Sequence, residues 1–324
     1  MRVLVTGGAG FIGSHLVEAL QARGDAVTVL DDLSTGRREN LEAASRRPGY
    51  RLVEGDVREP DAVRDAAEGC GSVFHLAAAV GVRLIVEQPV RSLETNIHGT
   101  ENVLRVAADR GLPILVASSS EVYGKGVRCP FTEEDDLVLG PTTVARWSYA
   151  AGKAVDEFMA LAHHREHGTR AVIARFFNTV GPRQVGRYGM VIPRFVEQAL
   201  KGGPITVYGD GTQTRCFGYV GEVVRACIAL LETPAAGGRV YNVGSPHEVS
   251  VQALAEKVRA LVDPRCSIRH VPFSEAYGPG FEDLQRRVPS VERLGAAIGF
   301  APGKRLEEFL PEIVEDVRRR KPEE

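Results

Sequence analysis

Residues 2–20 constrain the fold of this chain more than any other stretch. A short apolar run at 2–5 is followed by a glycine-rich turn at 6–13, and from Ser14 onward apolar positions recur at helical spacing. A strand therefore turns into a helix over glycines. Gly7 lets the chain leave the strand tightly, Gly10 clears room for a pyrophosphate to approach the backbone, and Gly13 lets the helix lie close to the sheet. The first-turn amides and the positive end of the helix dipole then face the anion, with Phe11 and Ile12 in the same binding turn. A second apolar run at 26–30 ends in Asp31 and Asp32, where a carboxylate meets an adenosine ribose. Asp31 would accept hydrogen bonds from both ribose hydroxyls and repel a 2'-phosphate, so the expected cofactor is NAD and not NADP.

A chain of 324 residues exceeds the usual size of a single core, which predicts two lobes sharing an interface. Its net charge of -2 offers no broad basic field, against nucleic acid or an anionic membrane as the main partner. No apolar run is long enough to span a bilayer and no signal-like region precedes the first strand, so the expected location is cytoplasmic. Cys70, Cys129, Cys216, Cys227 and Cys266 are scattered and odd in number, with no C-x-x-C pair; they predict neither a disulfide framework nor a metal site. The charged tail at 318–321 is expected to be disordered.

The third strand is expected over 51–57. Near its end Asp56 is either a partner for the adenine amino group or the N-cap of a helix starting near Pro60, and Val57 follows it at the cofactor edge. The fourth strand and its exit, 73–79, carry Leu76, Ala77 and Ala78, a mostly small set that lets a cofactor lie over the strand ends. His75 interrupts that run and is expected to be a hydrogen-bonded core residue. A helix over 89–111 places Asn96 where its side chain ties down neighbouring backbone. A fifth strand at 113–117 runs into 118–124, a long helix begins near Arg146 and continues to about His167, and a sixth strand follows at 169–175. This alternation predicts a parallel, doubly wound sheet. Residues 1–175 form the expected cofactor-binding domain, to which the chain returns near 213–245, and 176–324 mainly the second lobe.

Tyr149 and Lys153 lie one helical turn apart on one face. A tyrosine is a poor base at neutral pH, but an ammonium nearby and the positive charge of an oxidised nicotinamide favour its phenolate. Ser119, at the tip of the preceding strand, shares the hydrogen bond of the substrate hydroxyl and holds it in line.

Residues 6–13, residues 118–124 and the Tyr149/Lys153 pair together resemble the extended short-chain dehydrogenase/reductase family, specifically its NAD-dependent nucleotide-sugar epimerases, decarboxylases and dehydratases. The resemblance implies an α/β fold, a doubly wound parallel Rossmann sheet with a smaller mixed α/β substrate lobe, and a homodimer formed through the helices from Pro89 and Trp147. It implies that Asn178, within 175–183, contacts the sugar-nucleotide pyrophosphate. It also implies that Arg215 clamps that pyrophosphate, with Tyr208 and Gln213 in the same binding stretch. Cys216 departs from the family, which usually has an Asp there, and Gly221-Glu222 stands where an acidic pair is common.

In this family Tyr149 is expected to remove the O4 proton while hydride leaves C4, giving a transient 4-keto sugar. Ser120 occupies the position at which dTDP-glucose dehydratases carry an acidic Asp, which disfavours that reaction. Glu121 remains, as in GDP-mannose dehydratases. Ser119-Ser120-Glu121 also resembles the Thr-Ser-Glu of UDP-glucuronate decarboxylases, and 277–290 resembles their arginine segment, with Arg287 near the sugar or its phosphates. Against these, 32–41 resembles the 4-epimerase form of that loop, and 183–193 brings Arg187, with Val191, toward a uronate carboxylate. The preferred expectation is 4-epimerisation of a UDP-sugar, UDP-glucuronate to UDP-galacturonate. The alternatives are UDP-glucuronate decarboxylation, UDP-glucose 4-epimerisation, a GDP-sugar dehydratase and a catalytically silent NAD-binding regulator.

Overall fold

The structure, a computed structural model, describes residues 1–81, 88–126, 128–186, 190–273, 275 and 285–320. Strands β1 (Arg2–Thr6), β2 (Ala26–Asp31), β3 (Tyr50–Glu54), β4 (Ser72–His75), β5 (Ile114–Ser119) and β6 (Ala171–Phe176) alternate with helices, as the sequence periodicity predicts. They form one seven-stranded sheet with the later strand Arg239–Val243 at its edge, in the order Arg239–Val243, β6, β5, β4, β1, β2, β3. Every pairing in it is parallel. The order reverses beside β1, so the crevice of a doubly wound sheet opens at the carboxyl ends of β1 and β4.

Burial on both faces explains why the central strands are mostly apolar, while the edge strand β3 carries Arg51 and Glu54. Val3 and Val5 of β1 face the helices Phe11–Ala22 and Val220–Glu232, through Leu16, Val17, Leu20, Val223 and Val224. Leu4 points the other way, into a layer built with Val103, Leu104 and Ala107 of the helix Pro89–Asp109. With both faces covered, the central strands present no solvated polar side. A separate core holds the second lobe, where Phe195, Val196, Leu254, Val258, Phe309 and Ile313 come together from three helices. Burying each such side chain contributes roughly 1.5–3 kcal/mol relative to exposure.

Arg183 fastens the two lobes. Its backbone is in the left-handed region, its N–H donates to Asp316 at 2.9 Å, and its guanidinium reaches Glu18 of the first helix at 2.6 Å. His15, one turn before Glu18, bonds the carbonyl of Pro182 at 2.9 Å.

Two local expectations are corrected. The third strand ends at Glu54, earlier than expected, which leaves Asp56 in a turn. The expected disorder from Arg318 does not hold for Arg318 and Arg319: both belong to the helix Leu306–Arg319 and pair with Glu315, where basic groups suit the negative end of the helix dipole. The rest of the predicted elements agree within a few residues at their ends.

His75 is the buried, hydrogen-bonded histidine that its apolar surroundings predict. Nδ1 lies 2.7 Å from Thr6 Oγ1 and Nε2 lies 3.0 Å from Thr100 Oγ1. Burial, and after it the charge of Lys153, push its pKa down to about 3 from the ordinary 6.5. The unfolded chain therefore binds a proton between pH 6.5 and about 3 that the folded chain refuses. This part of the stability is complete above pH 6.5 and is lost as the pH falls. Between pH 7 and pH 5 the loss from this residue is about 2 kcal/mol. Urea denaturation of a His75→Gln variant at the two pH values should show a pH-dependence weaker by that amount; equal dependence in both proteins would contradict the assignment.

Candidate active site

The glycine turn closes against the exit of β4. Gly7 has φ +70°, and a Cβ placed on it would sit 2.7 Å from the backbone nitrogen of Ala77. A Cβ on Gly13 would collide with the carbonyl of Gly7, so the helix is held at a distance only glycine permits. Gly10 meets only that carbonyl, at 3.2 Å, and otherwise faces an open cleft of about 750 Å³. Asp31 is buried at the end of β2, where Oδ2 accepts from Ala9 N at 2.8 Å and Oδ1 from Leu33 N at 2.9 Å. Burial raises its pKa and these amides oppose the rise. Asp32 is more exposed and accepts from Ser34.

Asp56 does not cap the helix Pro60–Ala66, whose N-cap is Glu59 without a side-chain bond. Its carboxylate instead accepts from Arg58 N at 2.8 Å and holds the Arg58 guanidinium, whose hydrogen bond keeps the Asp56 pKa low. Val57, Leu76, Ala77 and Ala78 line the same cleft with Phe11 and Ile12. Asn96 lies behind this wall: its Oδ1 accepts from Ala79 N at 2.9 Å, fixing the backbone that follows β4. The glycine cradle, the ribose-side carboxylate and the small β4 exit fit NAD. Among the described residues no group of side chains suits a metal ion.

Deeper in the cleft stand Ser119, Ser120, Glu121, Tyr149 and Lys153. Ser119 ends β5 and its Oγ accepts from Glu121 N at 3.2 Å, so the strand tip and the following turn are one rigid piece. The helix Arg146–His167 presents Tyr149 and Lys153, both buried. Lys153 Nζ donates to the carbonyl of Ala117 and to Asp156 Oδ2, each at 3.0 Å. Burial raises the pKa of Tyr149 above the ordinary 10; Lys153 and the Ser119 hydrogen bond pull it back, while Glu121 and Asp156 push it further up. Activation of Tyr149, expected from Lys153 and the oxidised nicotinamide together, is therefore not reached by the protein's charges alone.

Glu121 faces two guanidiniums: Arg287 Nη1 lies 2.5 Å from Oε1 and Arg146 Nη2 lies 3.6 Å from Oε2. Burial works to raise its pKa, but these arginines and Arg215 hold it below the ordinary value. Arg146 was not anticipated from the sequence, although it precedes Tyr149 by three residues and so shares its helix face.

The opposite wall comes from the second lobe. Asn178, Val191, Tyr208, Gln213, Arg215 and Arg287 all line the cleft, while Arg187 lies outside the described residues. Gln213 Nε2 donates to the carbonyl of Tyr208 at 2.9 Å, and Asn178 Nδ2 to that of Cys216 at 3.3 Å. Cys216, the departure from the family pattern, is buried and serves through its backbone. Glu222 accepts from the amides of Gly303 and Lys304 at 3.1 and 3.0 Å. A further residue not anticipated is Arg194, whose guanidinium stacks 3.9 Å over the Tyr208 ring at the cleft wall.

Residues 3–244 match the NAD dependent epimerase/dehydratase family. The chain is 39% identical over 315 residues to UDP-N-acetyl-alpha-D-glucosaminuronate decarboxylase of Bacillus cytotoxicus, covering 97% of each. It is 38% identical to UDP-glucuronic acid decarboxylase 1 of Arabidopsis thaliana, covering 99% of this chain and 70% of that one. Among solved structures, the Thermus thermophilus UDP-glucose 4-epimerase in complex with NAD superposes with a TM-score of 0.84 at 33% identity, over 98% of this chain and 99% of that one. The expected 4-epimerisation of UDP-glucuronate is overturned by these relatives: the more similar full-length ones are named as decarboxylases, and the fold shared with epimerases does not fix the reaction. In the sequence the strand-tip glutamate and Arg287 read as decarboxylase-like, and the loop at 32–41 with Arg187 stands against them. The chain belongs to the NAD-dependent epimerase/dehydratase family, of the extended short-chain dehydrogenase/reductase type, and NAD is its cofactor.

Proposed function

We propose that this enzyme decarboxylates a UDP-uronate, UDP-glucuronate or its 2-acetamido analogue, to the corresponding UDP-pentose. The observation that carries the reading is Glu121, held ionised between Arg287 and Arg146 in the same cleft as Tyr149 and Ser119. The decarboxylase relatives, one for each sugar, support it.

Bound NAD supplies the hydride acceptor at C4 and returns the hydride at the end. Tyr149 takes the O4 proton, with Ser119 holding the hydroxyl in line and Lys153 stabilising the phenolate. The sugar is then a β-keto acid. The arginines around Glu121 favour entry of an anionic sugar, and inside the cleft the C6 carboxylate competes with Glu121 for their guanidiniums. When the C5–C6 bond breaks, its electron pair moves through C5–C4 to O4, and carbon dioxide leaves. Negative charge thus shifts away from Glu121 toward the hydroxyls of Tyr149 and Ser119, so these groups bind the transition state better than the ground state. A proton is taken up at C5, and Tyr149 returns the O4 proton as C4 is reduced.

The same reading includes a homodimer through the helices Pro89–Asp109 and Arg146–His167, supported by Val155 and Phe158, exposed one turn apart on the second. It also places the enzyme in the cytoplasm, supported by the free state of all five cysteines; among the described residues no helix is long and apolar enough to cross a membrane.

NMR of the products formed from UDP-glucuronate, and separately from its 2-acetamido analogue, should show a UDP-pentose with release of carbon dioxide from one of them. Retention of C6 in a UDP-galacturonate product would refute decarboxylation. Tyr149→Phe should lower kcat by about 10²–10⁴-fold, the worth of a positioned acid–base group, with little change in stability. Glu121→Gln should slow carbon dioxide release by about tenfold or more while C4 oxidation persists, so that reduced nicotinamide accumulates; equal slowing of both steps would remove Glu121 from the decarboxylation.

A further inference from the structure

Beneath the active site a run of buried polar groups passes inward from the glycine turn to Lys153. Ala77 N donates to Thr6 Oγ1 at 3.2 Å, Thr6 Oγ1 is 2.7 Å from His75 Nδ1, and His75 Nε2 is 3.0 Å from Thr100 Oγ1. Thr100 lies beside Asp156, whose Oδ2 receives Lys153 Nζ at 3.0 Å and whose Oδ1 is buried without a hydrogen-bond partner among the described residues. One proton arrangement gives each link a donor and an acceptor. Thr6 donates to Nδ1 of a neutral His75, and Nε2–H donates to Thr100.

Asp156 is completely buried and takes no part in the proton, hydride and carbon dioxide transfers. Burying a carboxylate and an ammonium together carries a desolvation cost that only good geometry and further hydrogen bonds offset. We propose that Asp156 is a positioning residue for the oxidation step: its charge keeps the Lys153 ammonium protonated in a dry site and pins one N–H, while Ala117 pins a second and the third is left for the cleft.

The other charged and titratable groups around Lys153 are engaged elsewhere or carry no charge. On its own helix, Glu157 holds Arg175 at 2.7 Å and accepts from Ser118, and Tyr149 is a neutral phenol until it reacts. From β4, His75 is neutral; from the turn after β5, Glu121 is held by Arg287 and Arg146. From the helix Pro89–Asp109, the neighbour of Asp156 is the uncharged Thr100. An ammonium buried without a counter-charge loses its proton easily. Lys153 shows the opposite direction: burial works against its charge, yet Asp156, first among the groups that oppose burial, leaves its pKa above the ordinary value.

The proposal rests on Tyr149 and Lys153 beginning the reaction and does not depend on which sugar is used. NMR titration of protein labelled with ¹³C at the lysine ε-methylenes, with Lys153 assigned by its loss in Lys153→Arg, tests it without substrate. In the wild-type protein Lys153 should remain protonated at about pH 10, where an ordinary lysine is already titrating. A midpoint below the ordinary value overturns the proposal, and this arm needs no Asp156 variant. In Asp156→Asn, which keeps the shape and removes the charge, the midpoint should fall by at least about one unit. The kcat of that variant should then acquire a decline on the alkaline side at the same pH, with KM changed by less than about twofold. A folded variant whose Lys153 titrates as in the wild type, with a superimposable pH profile, assigns Asp156 a merely structural place. An inactive wild type on both uronates would count against the proposed reaction and leave the titration as it stands.

Discussion

The structure depends on one close approach of backbone to backbone. Where β1 turns into the first helix, Gly7 lies against Ala77 at the exit of β4, and Gly13 lies against Gly7 itself. No side chain fits at either point. Because neither contact has slack, the helix axis, the carboxyl end of β1 and the exit of β4 are fixed relative to one another. The cleft opens at that junction, where the sheet order reverses. Asp31 extends the constraint by taking amides from Ala9 and Leu33, which ties the glycine turn to the end of β2.

What could be read from the sequence was what depends on short separations. Glycines at 7, 10 and 13, the apolar alternation of the strands, and Tyr149 and Lys153 one turn apart all express local geometry, and the structure shows that geometry directly. Features that depend on distant partners were not legible. The sequence leaves Asp56 open between an adenine partner and a helix cap; even at two residues' separation, its pairing with Arg58 depends on how the turn folds after β3. Arg146 lay one turn from Tyr149 and was within reach of a pattern argument; its partner Glu121 was not, since the pairing appears only once β5 and the long helix are packed together.

The choice of reaction failed to emerge for the same reason. Glu121 and Arg287 are 166 residues apart in sequence and 2.5 Å apart in space. Read singly, a glutamate after a serine-tipped strand and an arginine near the carboxy terminus each suit several nucleotide-sugar enzymes. Only the pair defines an ionised glutamate inside a substrate cleft.

In the proposed reaction, oxidation at C4 makes a ketone, and the electrostatics around that ketone would decide its fate. The groups that hold the ketone oxygen, Tyr149 and Ser119, sit on the side of the site supported by Lys153 and Asp156, whose charges nearly cancel. Glu121 and its arginines form a second cluster, in which the guanidiniums outnumber the carboxylate, at the turn beyond β5. In the proposed reaction, negative charge would pass from a carboxylate near the second cluster to an oxygen near the first, where hydrogen-bond donors are already in place. An epimerase needs the opposite balance, a carboxylate held in the plane of the ketone while the ring turns over. A rigid strand tip that places Ser119 and Glu121 two residues apart, with the Glu121 amide bonded to the Ser119 hydroxyl, couples the two clusters so that the geometry serving the ketone also fixes where the carboxylate meets its counter-charges.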